Sequence, residues 1–236
     1  MRQINPAQPL TVAAYEALRE SISTGALAPG ERLIQSEVAE RLGVSRLPVH
    51  EALQQLRQEG FVVETGRRGL MVSALDPDFI LQLFELRAAL DRTAGRAAAR
   101  ARRPADAARG LAIVERGRKG IAGRRLTAVA QADHAFHGLI YQIGGNPLIA
   151  ACAERNWHHV RRAFLTLVEV TPELAVFWED HASILSAVMA GDEELAGELC
   201  WDHSIRSGLS YSGELRRRAE VRAEPAKLVL RRAMPG

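Results

Sequence analysis

The sequence predicts a mainly α-helical protein: an N-terminal winged helix-turn-helix (three helices plus a two-stranded β-wing) followed by an all-α six-helix bundle. Residues 36–72 read in order as a helix, a glycine turn, a second helix and two short apolar strands around a glycine-flanked tip. Beyond residue 75, apolar residues recur at helical spacing and no stretch alternates as a strand does. We therefore expect a winged domain over 1–75, a helical domain over 76–222 and a C-terminal tail over 223–236.

Composition limits the class of protein. The chain has 236 residues, 47% hydrophobic and 25% charged, as in an ordinary globular protein. No apolar run approaches the ~20 residues that a membrane span needs, and the N-terminus lacks the apolar core of a signal peptide. Cys152 and Cys200 form no C-x-x-C pair, which favours a reducing compartment. We therefore expect a cytoplasmic protein with no membrane partner.

The net charge of +3 is a weak argument for a nucleic-acid partner. Residues 1–75 contain eight Arg and eight Glu, so attraction of this domain to DNA depends on where individual charges lie. Residues 96–125 contain ten Arg or Lys against two acids. We interpret that stretch as solvated helix surface.

The elements of the first domain follow from caps and breakers. Apolar spacing predicts a first helix over Leu10–Thr24. Ser36 is a plausible N-cap for the second helix, which Gly43 ends. Ser45 caps the third helix, and Pro48 falls in its first turn, where a missing N–H costs nothing.

The third helix and the wing carry the residues expected to contact DNA. A compact helix pair of this kind presents its second helix to the major groove, where Arg46 can fork onto a guanine. The remaining polar residues on the outer face, and the cationic wing tip, suit phosphates. The alternative is a small helical packing module without DNA. The predicted DNA-binding set is Ser36, Ser45, Arg46, Leu47, His50, Gln54, Arg57, Arg67, Arg68 and Gly69.

The second domain is divided into helices by proline and glycine. The pattern changes at residues 76–78, where we place the domain boundary. Breaks at residues 104, 144–145, 171–172 and 191–192 separate the segments that follow. The predicted helices are Phe79–Arg103, Ala105–Gly120, Leu126–Ile143, Pro147–Val170, Glu173–Ala190 and Glu193–Arg218.

Four polar residues lie on the apolar faces of three of these helices. Asp133 and His137 are one turn apart, and His181 and His203 lie on the two last helices. Burying one carboxylate and three imidazoles without compensation costs several kcal/mol. A shared divalent transition metal removes that cost, with zinc as the first candidate and nickel, manganese or iron as others. Taken singly, each histidine is an ordinary core or surface residue, which is the alternative.

Arg87 lies on the apolar stripe of the first helix in this domain. An inward guanidinium requires an anion, and it can hold a ligand carboxylate with two parallel hydrogen bonds. The alternative is a buried salt bridge to Asp91, one turn further along the helix. The first interpretation makes Arg87 an effector-binding residue for a small carboxylate.

From about residue 12 to about residue 212 the sequence resembles the GntR family of bacterial transcription regulators, in its FadR-like subclass with an FCD ligand-binding domain. The N-terminal match runs through Y-E-A-L-R-E-S-I-S-T-G-A-L-A-P-G-E-R-L, A-E-R-L-G-V-S-R-L-P-V-H-E-A-L and L-R-Q-E-G-F-V-V. The second half matches through F-E-L-R-A-A-L-D, D-H-A-F-H, G-N-P-L-I and H-A-S-I-L-S-A-V-M-A-G-D. The six-helix count is similar to that of the VanR-like group.

The resemblance implies a homodimer that binds double-stranded operator DNA with two-fold symmetry. It places the family's metal ligands on Asp133, His137, His181 and His203, and a small organic acid on the metal and Arg87. The family usually has Arg where this chain has His50, and a small polar residue where it has Leu47. The operator sequence is therefore not transferable from relatives.

The function expected from the sequence is that of a metabolite-responsive transcription regulator rather than an enzyme. The rival is a metal-dependent hydrolase or oxygenase with a DNA-associating appendage, since a metal with an open position can activate water. No general base or nucleophile accompanies the ligands in the sequence, which disfavours this rival. A third possibility is a regulator whose metal site is empty or purely structural.

Overall fold

The computed structural model describes residues 9–66, 69–167 and 174–233, with side chains described as far as 221. The chain divides into two compact units, Met1–Leu75 and Asp76–Gly236. No helix in these ranges is long and apolar enough to cross a membrane. The predicted fold class is confirmed: a winged helix-turn-helix is followed by a bundle with six helices in its described part.

The first unit contains three helices and a two-stranded antiparallel sheet. The helices are α1 (Leu10–Ser23), α2 (Gln35–Leu42) and α3 (Arg46–Gln58). The strands are β1 (Val62–Thr65) and β2 (Gly69–Val72), with Val62 opposite Val72 and Thr65 opposite Gly69.

The turn between α2 and α3 forms as its residues predict, with one correction. Gly43 ends α2 in the left-handed conformation (φ 65°), which glycine adopts without steric cost. Ser45 occupies the N-cap position of α3. Ser36, however, is not the N-cap of α2. Ile34 takes that position in extended backbone conformation, so α2 begins one residue before Ser36.

The apolar stripe of α3 forms the centre of the first core. Val49, Ala52, Leu53 and Leu56 are all fully buried, and they pack with Ile22, Phe61 and Val72. The chain before α2 reinforces the wing, because Arg32 forms a β-bridge with Met71 and the Leu33 N–H donates to the Leu70 carbonyl at 2.8 Å. This packing fixes the wing beside α3 and leaves the outer face of α3 exposed.

The second unit contains α4 (Pro77–Ala101), α5 (Pro104–Ala122), α6 (Leu126–Gly144), α7 (Pro147–Leu167), α8 (Leu174–Ala190) and α9 (Glu193–Ala233). Helix α4 packs on α9 and α6, and α5 packs on α6 and α8. Helix α4 begins at Pro77 because the Asp76 side chain accepts from the Asp78 N–H at 3.0 Å. The predicted break at residues 171–172 lies outside the described residues.

The end of the last helix was predicted too early. Helix α9 continues from the expected end at Arg218 through Ala233, across the expected start of the tail at residue 223. Residues 214–224 are rich in Arg, Ala and Glu, which favour helix, and they contain no glycine. No local signal therefore stops the helix at the edge of the bundle.

The basic stretch over residues 96–125 forms exposed ion pairs across helices. Arg96 and Arg100 on α4 pair with acids at the start of α9, and Arg118 on α5 pairs with Glu179 on α8. Arg102 donates to carbonyls of Met189 and Ala190 at the end of α8. These contacts agree with the interpretation of this stretch as solvated helix surface.

Close packing between α5 and α8 positions one histidine of the predicted metal site. The indole of Trp178 lies directly over Gly117, where a Cβ atom would approach within 1.6 Å of the ring. Its Nε1 donates to the Val114 carbonyl at 2.9 Å. These contacts hold Trp178 one turn before His181. The Nδ1 atom of His181 lies 3.2 Å from the Trp178 carbonyl oxygen.

Candidate metal centre and DNA-reading helix

The structure brings the four predicted metal ligands together. Asp133 and His137 project from α6, His181 from α8 and His203 from α9, and their ligand atoms all lie within 4.8 Å of one another. The three histidines are almost fully buried. Their ring centroids are 4.6–5.5 Å apart. The helical spacing of the sequence predicted that these four side chains face the interior of the bundle, and the structure brings them close together.

Each of the three imidazoles is held through its Nδ1 atom by an acceptor outside the cluster. His137 Nδ1 lies 3.3 Å from Asp91 Oδ2, and His203 Nδ1 lies 3.1 Å from Asp180 Oδ2. His181 Nδ1 lies 3.2 Å from the Trp178 carbonyl oxygen. These acceptors favour a proton on Nδ1, and in a neutral imidazole that tautomer leaves the Nε2 lone pair free to bind a metal. Such outer hydrogen bonds are typical of metal-binding histidines.

Two ring nitrogens on the inner side of the cluster have no hydrogen-bond partner. Within the described residues, His137 Nε2 and His181 Nε2 are buried without a hydrogen-bond partner. They lie 3.7 and 3.3 Å from Asp133 Oδ1, so with Nδ1 protonated their lone pairs face a carboxylate oxygen. Lone pairs directed at an anion at this distance are unfavourable unless a cation or proton lies between them. The donor set therefore fits a divalent transition metal.

Asp91 is a second buried carboxylate that sequence reasoning named only as a possible salt-bridge partner. It is 1% exposed. It accepts hydrogen bonds from Tyr141 and from Ser204 (2.6 Å), and it lies beside His137 and Arg87. Its position four residues after Arg87 on the apolar stripe of α4 was the one sequence signal for this role. Asp91 connects α4, α6 and α9 next to the cluster of Asp133 and the three histidines.

Arg87 is paired with both carboxylates. Its guanidinium donates to Asp133 Oδ2 at 3.1 Å and lies 3.4 Å from Asp91 Oδ2. The alternative predicted from the sequence, a buried salt bridge to Asp91, is thus present, and Asp133 is an additional partner. A role in effector binding must coexist with these two contacts.

Burial and neighbouring charges set the protonation of the cluster. Burial, together with the charge of Arg87, lowers the pKa of His137, and burial with the charge of His181 lowers the pKa of His203 to about 4. Burial alone would raise the pKa of Asp133, but Arg87 and His137 hold it well below its usual value. Near neutral pH these shifts favour neutral imidazoles and an ionised carboxylate, the forms that bind metal.

The outer face of α3 exposes most of the predicted DNA-binding residues. Ser45, Arg46, Leu47 and His50 are exposed and Gln54 is half-buried. Leu47 is 65% exposed, which is unusual for a leucine on a packed helix. These residues lie at the N-terminal half of the helix, where base contacts are made in helix-turn-helix proteins.

Other residues on this face have protein partners. Arg57 is paired with Glu64 on β1, so its charge is partly used inside the domain. His50 Nδ1 lies 3.3 Å from Gln35 Nε2, a contact between α3 and the start of α2 that sequence reasoning missed. Ser36 is exposed in the first turn of α2. Gly69 begins β2, and the predicted contacts of Arg67 and Arg68 lie outside the described residues.

A winged helix-turn-helix unit followed by an all-helical unit is an architecture found in DNA-binding transcription regulators. Residues 10–72 match the family of bacterial regulatory proteins named gntR, and residues 82–206 match the FCD domain. The chain therefore belongs to the GntR family of transcription regulators, in the FadR-like architecture with a C-terminal FCD domain. Proteins of this family are regulators and not enzymes, so the rival prediction of a metal-dependent enzyme is not supported.

Two relatives and one solved structure illustrate the match. The chain is 32% identical over 183 residues to an uncharacterised HTH-type transcriptional regulator in an unstable DNA locus of Streptomyces ambofaciens, covering 77% of this chain and 76% of the relative. It is 39% identical over 82 residues to an uncharacterised regulator in the TAR-I ttuE-ttuC' intergenic region of Agrobacterium vitis, 35% of this chain and about half (48%) of that protein. The E. coli McbR/YncC structure has the same fold, with TM-score 0.73, 23% identity and coverage of 89% of this chain and 99% of that one.

Proposed function

We propose that the protein is a metabolite-responsive regulator that binds operator DNA as a homodimer in the cytoplasm and senses a small carboxylate through a metal-assisted site in its bundle. The observation that carries the sensing half of the proposal is the set of three buried imidazoles, each held at Nδ1, two of which direct Nε2 toward Asp133. The observation that carries the DNA-binding half is the exposed N-terminal face of α3 beside the wing.

Three residues on α3 are suited to read bases. Arg46 carries the donors that match guanine O6 and N7. The exposed leucine at position 47 offers an apolar contact to a thymine methyl group, and His50, oriented by Gln35, offers a ring nitrogen to a base edge or phosphate. Gln54 and the wing supply phosphate contacts, which give affinity without sequence information.

A homodimer explains how the two units are coupled. One recognition helix reads only a few base pairs, whereas two helices held at fixed spacing read a two-fold symmetric operator. Binding of the second half-site is then intramolecular and strongly favoured. A change in bundle packing that alters the distance between the winged domains lowers operator affinity because both half-sites must be met at once.

The bundle residues define what the sensing site accepts. Asp133, His137, His181 and His203 would hold the metal, which when bound supplies positive charge and open coordination positions. Arg87 is balanced by Asp91 and Asp133, so these three side chains together carry one net negative charge. With a divalent ion added the net charge becomes +1, which one ligand carboxylate neutralises. The site therefore favours a ligand with a single carboxylate, and it binds that carboxylate only when the metal is present.

The test is a selection of DNA sites from a random library with purified metal-loaded protein. We expect an inverted repeat that Arg46→Ala no longer enriches, whereas Arg116→Ala, an exposed arginine on α5, behaves as wild type. Operator affinity is then measured with small carboxylic acids and with their uncharged amides. We expect acids alone to change the affinity, and only in metal-loaded protein. Sequence-specific operator binding that no carboxylic acid alters would overturn the proposal of a carboxylate effector. The proposal of a DNA-binding regulator would still stand.

A further inference from the structure

A cavity lies in the bundle between α4, α6 and α7. It is open to solvent on one side, where Leu86, Gly138 and Glu154 are exposed, and its volume is about 130 Å³. Its walls are mainly apolar, with Leu83, Leu86 and Leu90 of α4 opposite Trp157 and Val160 of α7. A cavity of about 150 Å³ with such walls is enough to hold a benzene ring. The size and lining therefore suit one small ring rather than a long chain.

This cavity is separate from the space that faces the metal ligands. A second, smaller hollow is lined by Asp133, His181 and His203, and none of these three lines the larger cavity. Arg87 lines both, and His137 lines the larger cavity. The two spaces thus share Arg87 and Val160 in their linings, and His137 lines the larger one alone. An occupant of the larger cavity would touch the metal cluster from outside.

The charges around the larger cavity do not favour an anion. Arg87 is already paired with Asp91 and Asp133. His134 lies 3.4 Å from Glu154, so the other cation-forming group at the rim has its own carboxylate. Among the described residues that line the cavity there is no uncompensated positive charge. Placing a carboxylate here would cost desolvation energy without a free partner, so an uncharged occupant fits better.

Gly138 leaves part of this space open. It lies in the interior of α6, where glycine costs about 1 kcal/mol relative to alanine. A Cβ atom added at Gly138 would meet nothing within 4 Å, and Gly138 lines the cavity. Helix packing therefore does not require a glycine at this position. Gly138 is itself exposed, so it lies at the open side of the cavity, and a larger side chain at this position would narrow that opening.

An aromatic platform forms one side of the cavity. The rings of His134 and Trp157 are stacked, with centroids 4.1 Å apart and planes 27° apart. A flat ring gains more from offset or edge contacts with such a pair than an aliphatic group of equal area does. Tyr141, whose hydroxyl donates to Asp91, adds a second aromatic wall.

We propose that the cavity between α4, α6 and α7 is a second ligand site that takes a small uncharged aromatic molecule. The site needs neither the metal nor a carboxylate, so it stands independently of the sensing site proposed above. Because its occupant contacts Arg87 and His137, it influences the metal cluster through these two residues.

Tryptophan fluorescence tests the proposal, because Trp157 lies in the wall. Full-length metal-free protein, in which the proposed carboxylate site is inactive, is titrated with toluene and benzyl alcohol, and with benzoate as the charged analogue. We expect saturable fluorescence changes with the two neutral probes and none with benzoate. Trp157→Phe should remove the signal while the neutral probes still raise the melting temperature.

Two matched variants decide whether the signal comes from this cavity. Gly138→Leu fills it, whereas Gly213→Leu places the same side chain on α9, where an added Cβ is equally unobstructed. We expect loss of neutral-probe binding in the first and wild-type binding in the second. If Gly138→Leu does not fold, Trp157→Ala replaces it; because this variant lacks the fluorophore and the stacked aromatic wall, the expected result is loss of the rise in melting temperature that the neutral probes cause.

Three results would overturn the proposal. The first is that neither neutral probe binds saturably. The second is that Gly138→Leu binds the neutral probes as well as wild type does. The third is that Gly138→Leu loses the self-association of the wild-type protein. The last result would show that a second copy of the chain covers the cavity. Sedimentation of the same samples detects it.

Discussion

Replacement of Asp91 by asparagine tests how the outer contacts maintain the metal cluster. Every partner of this carboxylate is a donor: the hydroxyls of Tyr141 and Ser204, the Nδ1 of His137 and the guanidinium of Arg87. An asparagine keeps the shape but replaces one acceptor oxygen by an NH₂ group that faces donors. At least one buried donor therefore loses its partner, and a buried arginine loses one of its two counter-charges.

The expected magnitude follows from these contacts. An orphaned buried donor costs about 1–3 kcal/mol, and removal of one member of a buried ion pair costs about 3–5 kcal/mol. We expect Asp91→Asn to lower the free energy of unfolding of the metal-free protein by about 3 kcal/mol. Loss of the acceptor for His137 should also weaken metal binding about 10–100-fold, as is usual when an outer partner of a ligand is removed.

The assays are urea unfolding of metal-free protein and competition for zinc with a fluorescent chelator. Glu179→Gln is the matched control, because this carboxylate pairs with Arg118 on the surface and is not one of the four candidate ligands. We expect the control to match wild type in zinc affinity and to change stability little. Unchanged stability and unchanged zinc affinity in Asp91→Asn would refute the reasoning that Asp91 holds the cluster in place.

Three further predictions concern packing, pH and operator choice. Gly117→Ala should lower the free energy of unfolding by about 1–3 kcal/mol in urea titrations, because the new methyl overlaps an indole, whereas Gly138→Ala should be neutral or stabilising. Burial lowers the pKa of His203 to about 4 and also lowers that of His137, from the ordinary 6.5. The folded state therefore binds fewer protons than the unfolded state, and the stability of metal-free protein should fall as pH drops from 6.5 towards 4; a flat profile would contradict this. Leu47→Ser should change the base preferred at one position of each half-site in a DNA selection, and identical enriched sites would exclude a base contact by the leucine.

The helical periodicity of the sequence predicted most of the fold because burial on one face is a local property. The stripe of α3 and the inward faces of α6, α8 and α9 all follow from three- and four-residue spacing. The same argument predicted that Asp133 and the three histidines face the interior of one bundle, where each buried polar group requires a partner. The positions of these ligands were therefore predictable without any long-range information.

What the sequence did not reveal depends on contacts between distant residues. Asp180 and the Trp178 carbonyl hold His203 and His181, and Gln35 contacts His50 across fifteen residues. No periodicity identifies such pairs. The length of α9 was missed for a local reason. Residues 219–221 are exposed, so no buried face marks the helix there, and Pro225 within α9 is of a residue type that usually interrupts helices. The start of α2 was also placed too late, at Ser36, because the sequence does not determine which of several neighbouring residues takes the N-cap position.

Elemental analysis of the purified protein is the measurement that addresses the central claim most directly. The protein is prepared without chelator or a polyhistidine tag, together with the double variant Asp133→Ala/His137→Ala and with Glu179→Gln as a folded control. The proposed arrangement of Nε2 atoms around Asp133 predicts about one divalent transition-metal ion per chain in wild type and in the control, and none in the double variant. Wild-type protein that carries no metal, and that takes up none from a zinc solution, would contradict the claim.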